Sequence, residues 1–127
     1  MAYGYSPTNV QTVYTSGSGR IRGLFTTLDG TPVRPEEVRD ITLTILHKFL
    51  GQYTPVSHYN GVSIPVAQAL SATVQTDPEG QRYNLDFDPY DGEHFPFPTR
   101  DTYYTLELVF TSRNGARSVH QLEVRSK

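Results

Sequence analysis

Three stretches of this chain alternate apolar and polar residues with a period of two, and that period limits the fold more than anything else in the sequence. In Ile41-Thr42-Leu43-Thr44-Ile45 the apolar residues sit two apart with β-branched threonines between them. Tyr83, Leu85 and Phe87 share one face of a second stretch, and Tyr104, Leu106, Leu108 and Phe110 share one face of a third. Successive side chains of a strand point to opposite faces, so each row describes a strand with one dry side and one wet side. A further strand is expected where Ile21, Gly23 and Phe25 alternate with Arg22 and Leu24; it stops at Asp29-Gly30-Thr31-Pro32, whose residues favour a turn.

The remaining segments are read from their breakers. Pro35-Glu36-Glu37-Val38 suits one helical turn, with proline at its start and acids in its first positions. Between Lys48 and Asp77, Gly51, Pro55, Gly61 and Pro65 divide the chain into short pieces. Residues 52–56 and 69–75 are expected as short strands and the region of Tyr59-Asn60-Gly61 as a loop, with a short helix over Val66–Leu70 as the alternative. Asn114-Gly115 predicts a hairpin of type I′, returning through a strand that places His120, Leu122 and Val124 on one face.

About seven short strands and no helix long enough to cover a sheet leave a sandwich or a barrel. The expectation is an all-β fold, an immunoglobulin-like antiparallel β-sandwich, with a core of Ile21, Phe25, Leu43, Ile45, Leu85, Phe87, Leu106, Leu108 and Leu122. Tyr103 or Tyr104, following Asp101, is placed to tie the penultimate strand to the connection before it, as a tyrosine corner does. At 127 residues the chain is the size of one domain. Residues 20–127 are assigned to the sandwich, and residues 1–19, rich in glycine, serine and threonine, to an extended N-terminal arm. Tyr3, Tyr5 and Tyr14 on that arm are either part of a frayed tail or contacts to a neighbouring chain, since tyrosine offers large area with a polar tip.

Several functional classes lose support at this level. With 0 cysteines there is no disulfide, thiolate nucleophile or zinc ribbon. The net charge is −2 and the basic residues are scattered, which argues against a nucleic-acid partner. Apolar runs are far shorter than the roughly 20 residues needed to cross a bilayer, so no membrane partner is expected. The absence of a basic residue before Arg20 and of an early apolar block predicts no secretory signal peptide.

The acidic loop with Asp86, Asp88, Asp91 and Glu93 has oxygen ligands of the kind calcium prefers, but not the spacing of an EF-hand loop, and a solvated turn is the preferred reading. Carboxylates so near one another on a loop do not suit glycosidase chemistry. His47, His58, His94 and His120 are dispersed, and Gly17-Ser18-Gly19 lacks a following helix and lysine. No catalytic residue, metal ligand or cofactor site is therefore assigned. Phe95-Pro96-Phe97-Pro98 cannot join a central ladder, because proline lacks a donor. It either caps one end of the sandwich or projects as an apolar anchor, with Tyr90, Tyr53 and Tyr59 extending the patch. The protein-binding residues expected are Tyr3, Tyr5, Tyr14, Tyr90, Phe95 and Phe97.

The succession Gly23-Leu24-Phe25, Asp29-Gly30-Thr31-Pro32-Val33, Pro35, Val38, Ile41-Thr42-Leu43-Thr44-Ile45 and Gly80-Gln81-Arg82-Tyr83-Asn84-Leu85-Asp86 resembles the Ig-like domains of tailed-bacteriophage structural proteins, over roughly residues 20 to 125. The segment from Lys48 to Thr76 departs from that pattern by being longer and richer in proline. The resemblance implies a non-enzymatic virion protein, assembled in the host cytoplasm: a capsid decoration or cement protein, or else a tail or head–tail connector component. It implies other virion proteins as partners, either the major capsid protein or tail proteins, and a homo-oligomer such as a trimer. From another class, a carbohydrate-binding or adhesion module is the alternative, because loop aromatics stack on sugars; a small hydrolase is the least favoured reading.

Overall fold

Each alternating row becomes a strand with its apolar side turned inwards. A computed structural model of the protein describes residues 3–6, 11–15, 19–27 and 29–127, the first four through their backbone. The strands are β1 (Tyr3–Ser6), β2 (Gln11–Val13), β3 (Ile21–Thr27), β4 (Val38–Phe49), β5 (Gln52–Ile64), β6 (Leu70–Thr76), β7 (Arg82–Phe87), β8 (Tyr103–Ser112) and β9 (Arg117–Ser126). A 3-10 turn at Pro35–Glu37 leads into β4, as the proline and the two acids predict. The helix α1 (Val66–Ala69) is a single turn before β6.

The strands form two sheets, one in the order β1-β3-β7-β6 and the other in the order β2-β9-β8-β4-β5. Lettered along the chain, the first is A-B-E-D and the second is G-F-C with C′ added at its edge, the arrangement of an immunoglobulin-like sandwich. The strand β2 joins the second sheet parallel to β9, with Gln11 opposite Val124 and Val13 opposite Ser126. The expected boundary at residue 20 therefore does not separate an arm from a domain. Strand β1 pairs with β3, Tyr5 opposite Phe25, and Val13 is fully buried, so the N-terminal segment supplies an edge to each sheet.

All nine residues expected in the core are buried. Leu43 faces Leu108 across β4 and β8, and Leu106 faces Leu122 across β8 and β9, so the apolar rows of three strands lie side by side. Full burial of such a side chain contributes about 1.5–3 kcal/mol. Where an antibody domain would carry a disulfide between its sheets, Phe25 of β3 stacks on Phe110 of β8, with ring centroids 4.8 Å apart and planes at 23°.

Tyr104 is the tyrosine of the corner, and Tyr103 points outwards. Its hydroxyl accepts a hydrogen bond from the Thr99 amide at 2.8 Å, five residues upstream, and its ring is fully buried. Two local expectations need correction. The Asn114-Gly115 turn is not type I′: Gly115 has φ of 89° but Asn114 does not share it, and the Gly115 amide bonds to the Ser112 carbonyl at 3.0 Å. That is a type I turn closed by a left-handed glycine, the usual geometry of a three-residue hairpin loop. The second correction concerns residues 52–64, which form one long strand in place of a short strand and a loop. The strand tolerates Pro55 and Gly61 because β5 is the edge of its sheet, and because it bulges: Thr44 faces Asn60 while Leu46 faces Pro55.

Candidate functional site

The end of the sandwich where β4 turns into β5 and where β8 begins gathers most of the residues that a partner could use. His47 of β4 lies opposite Tyr104 at the start of β8, so the β4–β5 turn and the loop of residues 88–102 leading into β8 lie at the same end. Lys48 faces Tyr53 and Phe49 faces Gln52, which leaves a turn of two residues, Leu50 and Gly51. Both have positive φ, 51° and 78°, as a type I′ turn requires. The first position of such a turn is normally Asn or Asp, because a left-handed residue with an ordinary side chain is strained by about 1–2 kcal/mol. Leu50 accepts that strain while 87% exposed, beside Phe49 at 66% and Tyr53 at 55%.

The bulge in β5 and the 88–102 loop meet next to this tip. Between Pro55 and Asn60 the bulged strand turns Val56 and Tyr59 inwards, where both are buried, and puts His58 into the left-handed region with φ of 71°. The His58 ring then stacks on His94 of the loop, with centroids 3.7 Å apart. The Tyr59 hydroxyl donates to the His94 carbonyl at 2.6 Å, and burial raises the Tyr59 pKa to about 12, with the charge of Asp91 adding to the effect. His94 Nδ1 lies 2.8 Å from the Asp91 carboxylate, a hydrogen bond that raises the pKa of His94. Asp91 in turn accepts from the amides of Glu93 at 2.8 Å and His94 at 2.7 Å; these bonds, that to the His94 amide foremost, hold its carboxyl well below the usual range.

Two cavities flank this contact. One of about 520 Å³ opens between the sheets, floored by Leu43, Val62, Ile64 and Phe87 and rimmed by His58 and Asp91. The other, about 460 Å³, lies between the root of the hairpin, at His47 and Thr54, and the loop at Glu93, His94 and Phe95.

The structure divides the expected binding residues. Tyr90 and Phe95 come together, their rings nearly parallel with centroids 5.6 Å apart, and Phe95 is 50% exposed. Phe97 does not join them. It is 1% exposed and packs edge-on to Tyr104 with centroids 5.3 Å apart, so it closes the core and offers a partner nothing. Alternate residues of this Phe-Pro-Phe-Pro segment diverge, which sends one phenylalanine out and the other in. Tyr14 is half exposed beyond β2. Tyr3 and Tyr5 belong to β1 by their backbone, and their side chains lie outside the described residues. Phe49 and Leu50 are not among the expected binding residues, and Gly51 is the one residue of the turn whose type points to it.

The acidic residues of the loop are committed to local structure. Asp86 pairs with Arg20 at 2.8 Å and approaches Arg22 at 3.6 Å, and Asp88 accepts from the Tyr90 amide at 3.0 Å. Among the described residues, no three histidine or carboxylate groups gather as metal ligands.

No family model matches this chain, and no curated protein matches it. Among solved structures, that of murine CRIg is similar over 98% of this chain and 98% of its own, at 13% identity and a TM-score of 0.41. A likeness at that level carries no functional argument, and the immunoglobulin-like assignment stands on the strand order itself.

Proposed function

We propose that this protein is a non-enzymatic structural module that works by protein–protein contact through the end of the sandwich bearing Phe49, Leu50 and Tyr53. The observation that carries the reading is Leu50, which is both strained and 87% exposed. Local propensity disfavours leucine at that position and burial does not reward it in the free protein, whereas a partner that covered the tip would bury the side chain and offset the backbone strain. Aromatic residues near the centre of an interface supply most of its energy, and Phe49, Tyr53 and Phe95 are available at this end.

The phrases shared with Ig-like domains of phage structural proteins favour a virion as the setting, as a capsid decoration or cement protein, with a tail or connector role as the alternative. Partners of that kind are the major capsid protein or tail proteins, together with further copies of this chain. The commitment of Asp86, Asp88 and Asp91 to ion pairs and turn amides supports a role without catalysis. The test is binding of the purified protein to assembled phage heads and tails, compared with a Phe49→Ser/Leu50→Asn double variant. Binding that the double variant loses supports the proposal. Equal binding by both proteins, or hits on a glycan array with no lattice binding, contradicts it.

A further inference from the structure

The larger cavity and the tip of the β4–β5 hairpin complement each other. Leu43, Val62, Ile64 and Phe87 give the cavity an apolar floor, and its volume of about 520 Å³ is that of a site for a small apolar group. Val62 and Ile64 are only partly buried, so part of that floor stays accessible beside α1. The tip is the converse: Phe49 and Leu50 are 66% and 87% exposed on a turn of two residues.

Charge matches in the same sense. At the rim of the cavity Arg20 and Asp86 pair at 2.8 Å, which leaves Asp88 and Asp91 as the acidic groups. Asp91 holds the amides of Glu93 and His94 and the His94 ring, whereas Asp88 bonds to the neutral amide of Tyr90. No cation is bonded to Asp88 among the described residues. At the tip, Lys48 precedes Phe49, is exposed, and lies over the Tyr53 ring at 5.5 Å, with no carboxylate bonded to it among the described residues. A lysine beside an apolar pair thus suits an apolar floor beside a carboxylate.

A tip cannot enter the cavity of its own molecule. β4 and β5 pair from Phe49 opposite Gln52 to Ile41 opposite Ile64, which holds the tip at one end of the hairpin and the cavity floor near the other. From Leu43 to Leu50 the chain spans roughly 23 Å at about 3.3 Å per residue.

We infer that the tip of residues 48–53 docks in the cavity of a second copy of this chain, with Phe49 and Leu50 on the apolar floor and Lys48 at Asp88. The inference rests on the proposed role of the tip and names its partner. Two different surfaces meet, so the contact is head-to-tail: each copy offers its cavity to one neighbour and its tip to another, and assembly runs on into open chains or closes into a ring.

Sedimentation equilibrium of two variants, alone and mixed, tests the direction of the contact. Phe49→Ser/Leu50→Asn removes the apolar tip, and Val62→Phe fills the cavity from its floor while leaving the tip intact; thermal melts check that both fold. Each alone is expected to associate at least about a hundredfold more weakly than the wild type. Their equimolar mixture is expected to form one-to-one dimers and nothing larger, since only one intact tip and one intact cavity can meet. Lys48→Gln, and Asp88→Asn, which keeps an acceptor for the Tyr90 amide, are each expected to weaken association about two- to fivefold and to reduce its dependence on salt. A folded Val62→Phe protein that associates as well as the wild type, or a mixture that stays monomeric, would overturn the inference and leave the proposed role of the tip standing. If Val62→Phe does not fold, Asp88→Asn decides, and association with the strength and salt dependence of the wild type would overturn the inference. A wild-type protein that stays monomeric at every concentration would overturn the inference and the assembly role together.

Discussion

The side chain of Asn84 satisfies both main-chain polar groups of Phe25: its Oδ1 accepts from the Phe25 amide at 2.8 Å and its Nδ2 donates to the Phe25 carbonyl at 2.8 Å. The β3–β7 ladder runs from Ile21 opposite Phe87 to Gly23 opposite Leu85, and beyond it this buried amide bridges the two strands. The same Nδ2 also reaches the Val33 carbonyl at 3.1 Å and ties the turn after β3 to the sheet.

Asn84→Leu keeps the volume and removes the bridge. The buried Phe25 amide then loses its 2.8 Å bond to Asn84 Oδ1, so a loss of about 2–3 kcal/mol of stability is expected. Urea unfolding measures it, and an unchanged midpoint would show that the amide finds another acceptor.

Tyr104→Phe tests the corner. The ring stays in place, but the Thr99 amide loses the hydroxyl that it bonds at 2.8 Å, for an expected cost of about 1–2 kcal/mol in the same unfolding experiment. Tyr103→Phe, on the exposed neighbour, is expected to leave stability within about 0.5 kcal/mol.

His120 makes stability depend on pH. Its ring lies edge-on to Phe25 and Phe110, with centroids 5.2 Å and 5.6 Å away, and burial lowers its pKa. The unfolded chain therefore takes up a proton first. The stabilisation is complete above the ordinary histidine value of about 6.5 and falls away as pH drops through the lowered folded value. His120→Leu is expected to flatten that part of the stability–pH curve, read from thermal midpoints between pH 7 and pH 4.

Leu50→Asn separates stability from function. Asparagine is at ease in the left-handed region, so the variant is expected to gain up to about 1 kcal/mol while losing association. A destabilised variant would place the role of Leu50 within the fold itself.

The rows at 41–45, 83–87 and 104–110 were legible because each strand has one buried face, and a buried face writes a period of two into the sequence. β5 carries no such row, since an edge strand with a wide bulge buries Val56 and Tyr59 at irregular spacing and leaves most of its other residues exposed. The sequence reads residues 1–19 as an arm for a related reason: β1 and β2, of 4 and 3 residues, are too short to write a period of two, and β2 turns only Val13 inwards. The Phe49-Leu50 tip was missed because Leu-Gly lacks the turn chemistry of Asn-Gly, and the His58–His94 contact because its partners lie 36 residues apart in sequence with no shared motif.

Sedimentation equilibrium over a wide concentration range, on the wild-type protein and the Phe49→Ser/Leu50→Asn double variant, tests the central claim most directly. Each tip residue is expected to be worth at least about 1.4 kcal/mol of binding, a factor of ten. The wild-type protein is expected to self-associate, and the variant to do so at least about a hundredfold more weakly with its fold intact. A wild-type protein that stays monomeric at every concentration, or a variant that associates as well as its parent, would contradict an assembly role for this end of the sandwich.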